Sequence, residues 1–351
     1  MKIKKNKFIF LLLFIINLVI TIFATYILPE KYFLDVKTIT LPEFNMKGFI
    51  GSYPFIQRFY ELTLLKYLPL PIIGFIQFST TSFLIYKIGI PNKFEILNLK
   101  NISIYVALTL SAIFLAVPSK EFVTFLMFSS IPFIYMSKRE HKILISFILI
   151  FFFSIFRSYF MLIPVIAVGI YLVSFIKLKN KGLSTIAYGL LIVIFLSFSY
   201  GIVNGVFLSQ TTREDYVSIY TKMYNVNSAI VSPIPQDTWY GEAFGIIYGF
   251  ISVNFPIFEG IKHIFSPQIL GFVIWQIIVF YILLKLFSKC INDRKQHYYE
   301  LWTIIILFSY FMVQGVFEPD LGTSIRHKIG FLPLIYFAFY YDNIPRKNKS
   351  I

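Results

Sequence analysis

Three short stretches of this chain set groups able to bind an anion and move a proton among residues that are otherwise apolar. They are Pro118-Ser119-Lys120-Glu121, then Phe156-Arg157-Ser158-Tyr159-Phe160, and then Glu318-Pro319-Asp320-Leu321-Gly322-Thr323-Ser324-Ile325-Arg326-His327-Lys328. Arginine carries a planar fork of donors that matches phosphate oxygens, and lysine carries a mobile point charge. A carboxylate nearby can accept a proton or orient a hydroxyl. Lys120, Arg157, Arg326, His327 and Lys328 are therefore candidate anion ligands. Arg213 joins them from Thr211-Thr212-Arg213-Glu214-Asp215-Tyr216. Among the acids, Glu318 is the first candidate for a base, followed by Asp320, Asp215 and Glu121.

Each stretch also has a plainer reading. Pro118 to Glu121 fits a solvated hairpin tip, because Pro and Ser are turn formers. Arg157 fits an arginine reaching for lipid headgroups, and Arg326 to Lys328 fit a basic anchor at a membrane boundary. Two arguments favour chemistry. An arginine at membrane depth costs at least about 2.5–3.5 kcal/mol, so it is expected to have a partner. The last triplet is also read as the first turn of the final helix. There the backbone N–H groups and the positive dipole end would join the cations.

The elements that must hold these groups are membrane helices. The chain has 351 residues, a mean hydropathy of +0.74 and 14% charged residues, too few to clothe a soluble core of this size. Apolar runs predict helices at about 8–28, 68–89, 102–117, 122–136, 143–156, 160–176, 184–203, 268–287, 300–317 and 326–341. This is an all-α membrane domain over 1–351 with about ten spans and no internal repeat. The N-terminal Met1-Lys2-Ile3-Lys4-Lys5 run is read as the start of an uncleaved first span. A large loop at about 204–267 ends in an apolar tail from Phe244 to Phe265, read as an interfacial or re-entrant helix.

Charge orients the helices. The termini and alternate loops hold 20 of the 32 Lys and Arg residues against five acids, which is the whole net charge of +15. The other side holds twelve of each sign. A basic cytoplasmic face is the expected pattern, so the charge reports orientation rather than a nucleic-acid partner. Both termini are then expected inside, with the three reactive stretches outside. The single cysteine, Cys290, and His141 and His297 fall on the basic side. No metal or other cofactor is expected at the reactive face, although Glu318 and Asp320 are a carboxylate pair of the kind that holds Mg or Mn.

Taken together, Pro118-Ser119-Lys120-Glu121, Arg157-Ser158-Tyr159 and Gly322-Thr323 followed by Arg326-His327-Lys328 resemble the Wzy-type polysaccharide repeat-unit polymerases, which include the O-antigen and capsule polymerases and EpsG-like proteins. The likeness covers most of the chain in topology, and its most specific part is the Gly-Thr…Arg-His-Lys segment. It implies a GT-C-like architecture in the bacterial inner membrane. It also implies transfer of a growing glycan from undecaprenyl diphosphate to an incoming lipid-linked repeat unit at the periplasmic face. Implied partners are the lipid-linked oligosaccharide, membrane lipid and a chain-length regulator. In this reading Arg157, Arg326 and Lys328 hold the donor diphosphate, Lys120, His327 and Arg213 support them, and Glu318 activates the acceptor hydroxyl.

Two related activities and one unrelated one stay open. A single-sugar transferase of this architecture would use acids in the first outward loop, where Glu30 and Asp35 occur without forming a close pair. An O-antigen ligase would place a histidine in the large loop, where His263 lies. A flippase for lipid-linked glycans would show repeated halves and charges at mid-membrane.

Overall fold

Helices form wherever the apolar runs lie, because a backbone without water must satisfy its own hydrogen bonds. The structure, a computed structural model, describes residues 4–29, 33–41, 46–176, 180–214, 217 and 228–344. Its helices, in chain order, are α1 (Lys5–Ile27), α2 (Leu34–Thr40), α3 (Ser52–Leu62), α4 (Leu70–Ile88), α5 (Leu99–Phe114), α6 (Lys120–Met136), α7 (Lys142–Phe153) and α8 (Leu162–Val173). Then follow α9 (Lys181–Asn204), α10 (Trp239–Asn254), α11 (Ile257–Lys262), α12 (Pro267–Asn292), α13 (Tyr298–Phe317), α14 (Leu321–Gly330) and α15 (Leu332–Tyr340). Among the described residues the chain is all-helical, and its sole β feature is an isolated bridge between Ala229 and Asp320.

Four helices, α1, α9, α12 and α13, are long and apolar enough to cross a bilayer. Shorter apolar helices cover Leu99–Phe114, Lys142–Phe153 and Ser158–Val173. This is a membrane-embedded chain. On α1, side chains such as Phe8, Ile15, Val19 and Phe23 are exposed, as a lipid-facing helix requires.

The chain divides into two compact units, Met1–Ser158 with Arg326–Ile351, and Tyr159–Ile325. In the first, α1 lies on α4 and α5. Gly74 permits that approach, since a Cβ there would stand 2.7 Å from Thr21 Cγ2. Thr21 Oγ1 donates to the Ala112 carbonyl at 3.0 Å, and Phe14 stacks on Phe78. The core of this unit is α15, buried along its whole length, with Tyr336 donating to the Gly89 carbonyl and Tyr340 to Asn101 Oδ1.

In the second unit α13 is central, with 94% of its apolar window buried among α8, α9, α10 and α12. The apolar tail of the large loop, residues 244–265, falls in two helices, α10 and the short α11, and α10 packs along α13. Glycines set that contact. A Cβ on Gly315 would stand 2.7 Å from Phe250 Cα, and one on Gly249 would stand 2.0 Å from the Gly315 carbonyl oxygen.

Helices occupy all ten predicted stretches, but the last one differs. A single helix over 326–341 was expected, with Arg326 to Lys328 in its first turn. Instead α14 starts at Leu321 and a break at Phe331 precedes α15. The start is set by Asp320, whose Oδ1 accepts from Thr323 N at 2.9 Å and whose Oδ2 accepts from Thr323 Oγ1 at 2.5 Å. That is an N-cap, and it fixes the helix start at Leu321. Pro333, at the second position of α15, explains the break.

Candidate functional site

The reactive residues of the first unit meet around two carboxylates. The first turn of α6 supplies Lys120 and Glu121, and its start is well fixed. Ser119 Oγ accepts from Phe122 N at 3.2 Å as the cap, and Ser119 N donates to Tyr60 Oη at 3.1 Å. Gln77 Nε2 donates to the same phenol oxygen at 2.6 Å, so α3, α4 and α6 are joined there. The turn after α7 supplies Arg157. It is held by Gly51 N donating to the Ile155 carbonyl and by Ser52 Oγ donating to the Phe156 carbonyl. Gly51 has φ of 101°, a value that favours glycine.

Glu121 is fully buried at the middle of the cluster. Arg157 Nη2 donates to its Oε1 at 3.1 Å, His327 Nε2 lies 3.2 Å from the same oxygen, and Arg326 Nε lies 3.3 Å from Oε2. Asp35, on α2, is the second carboxylate. It accepts from Arg326 Nη2, and its Oδ1 accepts from Tyr53 Oη at 2.8 Å. Lys120 Nζ stands 3.5 Å from Asp35 Oδ1 and donates to Tyr53 Oη at 3.0 Å. Among the described residues, Lys120, Arg157 and Arg326 thus meet Asp35 and Glu121, with His327 beside them.

The cluster has a sealed side and an open side. Arg157 and Glu121 side chains are 2% and 0% exposed, whereas Asp35 is at 10%, His327 at 15% and Arg326 and Lys120 at 16%. The open edge therefore presents guanidinium, ammonium and imidazole groups together with the Asp35 carboxylate. Burial would raise the Asp35 carboxyl, but Arg326 and then Lys120 outweigh it and hold it below the usual carboxylate range. Gly330 lets α14 lie close to α6, since a Cβ there would stand 3.0 Å from Thr124 Cγ2 and 3.4 Å from the Glu121 carbonyl oxygen.

The structure brings together Lys120, Glu121, Arg157, Arg326 and His327 of the predicted set. Lys328 is buried in the same unit. Because α14 is capped at Asp320, the cations come from its second half rather than its first turn. Sequence reading left out Asp35 as a site residue, and Tyr53 with it. Their distance along the chain from Arg326 hid them. The available signal was the excess of cations over acids in the three motifs.

The other predicted residues belong to the second unit. Glu318 Oε1 accepts from Gln314 Nε2 at 2.9 Å, and Gln314 Nε2 also donates to the Ser324 carbonyl. Asp320 caps α14, and burial pushes its carboxyl up against the opposing hydrogen bonds from Thr323. Ile230 N donates to the Pro319 carbonyl and Leu321 N to the Ser228 carbonyl, so this corner is tied to the large loop. Arg213, expected among the diphosphate ligands, is 1% exposed, and two of its donors serve backbone. Its Nη1 donates to the Gly315 carbonyl at 2.6 Å and its Nη2 to the Gly245 carbonyl at 2.7 Å. A buried guanidinium needs such acceptors, and here it staples α10 to α13. Asp215 lies outside the described residues.

A further acid, Glu242, sits fully buried at the start of α10 and accepts from Ser197 Oγ at 2.5 Å and from Ser209 N at 3.1 Å. Among the described residues its donors are the hydroxyls of Ser197 and Ser209 and the Ser209 amide, which tie the start of α10 to α9 and the loop after it.

Comparison of the chain with family models, with curated proteins and with solved structures finds no match.

Proposed function

We propose that the chain is a membrane glycosyltransferase of the polysaccharide-polymerase kind, acting on a glycan carried by a polyprenyl diphosphate. One observation carries this reading. Lys120, Arg157 and Arg326 converge on Asp35 and Glu121, and Arg326, Lys120 and His327 reach the partly exposed edge of the cluster. A diphosphate suits such an edge, because arginine forks match its oxygens.

In the reaction, the bond between the donor's anomeric carbon and the diphosphate oxygen breaks. A new bond forms from that carbon to an acceptor hydroxyl oxygen, and the hydroxyl proton leaves to a base. Arg326 and Lys120 meet the departing diphosphate at the open edge, and Arg157 acts from beneath through Glu121. Donors preorganised for a developing anion are worth about 2.7–4 kcal/mol each where they have been measured. Asp35 is the partly open carboxylate in this cluster. Its lowered pKa suits it to orienting a hydroxyl rather than to removing a proton. Glu318 stays the proposed base, and Glu318→Gln is its test: a turnover loss with donor binding intact supports the role, and unchanged turnover removes it.

The further proposals are the inner membrane as location, both termini in the cytoplasm, ten spans, a GT-C-like arrangement and partnership with a chain-length regulator. The positive-inside count supports the orientation.

The direct test is binding of undecaprenyl diphosphate and undecaprenyl monophosphate to the purified chain in detergent. The reading expects the diphosphate to bind more tightly, and Arg326→Ala to lose about 10–100-fold in affinity, the worth of one charge-assisted hydrogen-bonding group. Equal affinity for the two lipids, unchanged by Arg326→Ala, overturns the diphosphate role.

A further inference from the structure

Far along the chain from the cation cluster, the hairpin joining α12 to α13 gathers three good metal donors. Cys290 lies in the last turn of α12, His297 precedes α13, and Glu300 is in the first turn of α13. All three are buried, at 0%, 4% and 1% exposure, and one donor atom from each lies within 4.8 Å of the others. His297 Nδ1 is 2.7 Å from Glu300 Oε2. We infer that Cys290, His297 and Glu300 form a metal site of zinc type that clips the end of α12 to the start of α13.

The donor set argues for it. Sulfur, imidazole nitrogen and carboxylate oxygen are the groups that zinc takes, and three protein ligands leave a fourth tetrahedral position for water. Softness points the same way, because a thiolate selects zinc over the magnesium or calcium that an all-oxygen site would hold. Charge also fits. A thiolate and a carboxylate taken out of water together are balanced by one divalent cation and a neutral imidazole.

The hairpin is already shaped for a ligand. Asp293 N donates to the Lys289 carbonyl at 3.2 Å, and His297 N donates to the Asp293 carbonyl at 3.2 Å. Arg294 donates to the Ser174 carbonyl and lies 4.0 Å from the Phe175 ring centroid, so its guanidinium faces the end of α8. A rigid backbone that fixes three ligands within about one turn of each helix lowers the ordering cost of binding. The competing arrangement is a protonated His297 paired with Glu300 beside a neutral thiol. The two differ in whether Cys290 ionises and in whether metal is present.

The full chain purified in detergent, stripped with chelator and titrated with Co²⁺, separates them. The inference expects a near-ultraviolet sulfur-to-cobalt charge-transfer band that saturates at roughly one Co²⁺ per chain and is displaced by Zn²⁺. Cys290→Ser removes the band, and Glu300→Gln weakens Co²⁺ binding by about 10–100-fold. Chain purified without chelator is expected to carry zinc. A wild-type chain with no charge-transfer band and only background zinc overturns the site, whatever the variants do. A band that survives Cys290→Ser also overturns it.

Discussion

At the scale of single residues, the chain departs from a plain membrane bundle at Glu121. This carboxylate is fully buried and faces Arg157, Arg326 and His327. Removing its charge takes an anion away from these buried groups, and breaking a buried pair costs about 3–5 kcal/mol. Glu121→Gln is therefore expected to lower the thermal midpoint in detergent clearly, whereas Arg326→Ala, at the open edge, is expected to lower it less and to act mainly on ligand binding. Differential scanning fluorimetry of both variants checks the order. Asp35 gives a pH prediction. Its carboxyl is held below 3.8 in the folded chain, so its stabilising contribution is full above about pH 5 and fades as the pH falls through the lowered value. The midpoints of wild type and Asp35→Asn should differ near neutral pH and converge as the pH falls through the lowered value. A constant gap would mean that Asp35 is not ionised in the fold. The motifs made Lys120, Glu121, Arg157, Arg326 and His327 legible because they fall in short charged stretches within otherwise apolar sequence. Asp35 was not legible, since its partner Arg326 lies 291 positions away.

At the scale of elements, helix ends decide where the charges point. Ser119 caps α6, and a lost cap costs about 0.5–2 kcal/mol. Ser119→Ala should thus destabilise modestly and weaken anion binding together, because Lys120 and Glu121 are the next two residues. The α14 start shows the limit of sequence reading. Asp320 and Thr323 have the types and spacing of an N-cap, but the flanking Gly322 and the basic triplet suggested a later start. The cap prevailed, since it satisfies a backbone N–H that would otherwise be orphaned. Glycines carry the contact between α10 and α13. A Cβ at Gly249 would fall 1.8 Å from Arg213 Nη1 and 2.0 Å from the Gly315 carbonyl oxygen. Gly249→Ala must shift backbone as well as side chain, and overpacking of this kind costs about 1–3 kcal/mol. A loss of monodisperse protein in size-exclusion chromatography is the expected result. The same geometry explains why Arg213 looked like a ligand in sequence. A polar run beside an arginine reads alike whether its acceptors are phosphate or backbone.

At the scale of the whole molecule, the apolar pattern made the helical class and the position of nearly every helix readable, because the bilayer imposes length and composition together. What it hid was the division into two units, each around its own buried helix, α15 in one and α13 in the other. Both helices are apolar all round, and hydropathy alone reads a lipid-facing helix and a protein-buried helix in the same way. The charge count places the whole net charge of +15 on one set of loops. A green fluorescent protein fused to the C-terminus should therefore fluoresce in a bacterial host, and a periplasmic phosphatase fused there should be inactive.

The most direct measurement is genetic. The gene is deleted in its own host, the chain or its Arg326→Ala variant is restored at matched abundance, and the surface glycan is resolved on a gel. The account predicts that the deletion reduces the ladder to a single repeat unit, that the wild-type chain restores the ladder, and that Arg326→Ala does not. Loss of all surface glycan with lipid-linked polymer accumulating would point to a ligase or exporter instead. An unchanged ladder after deletion would contradict the account.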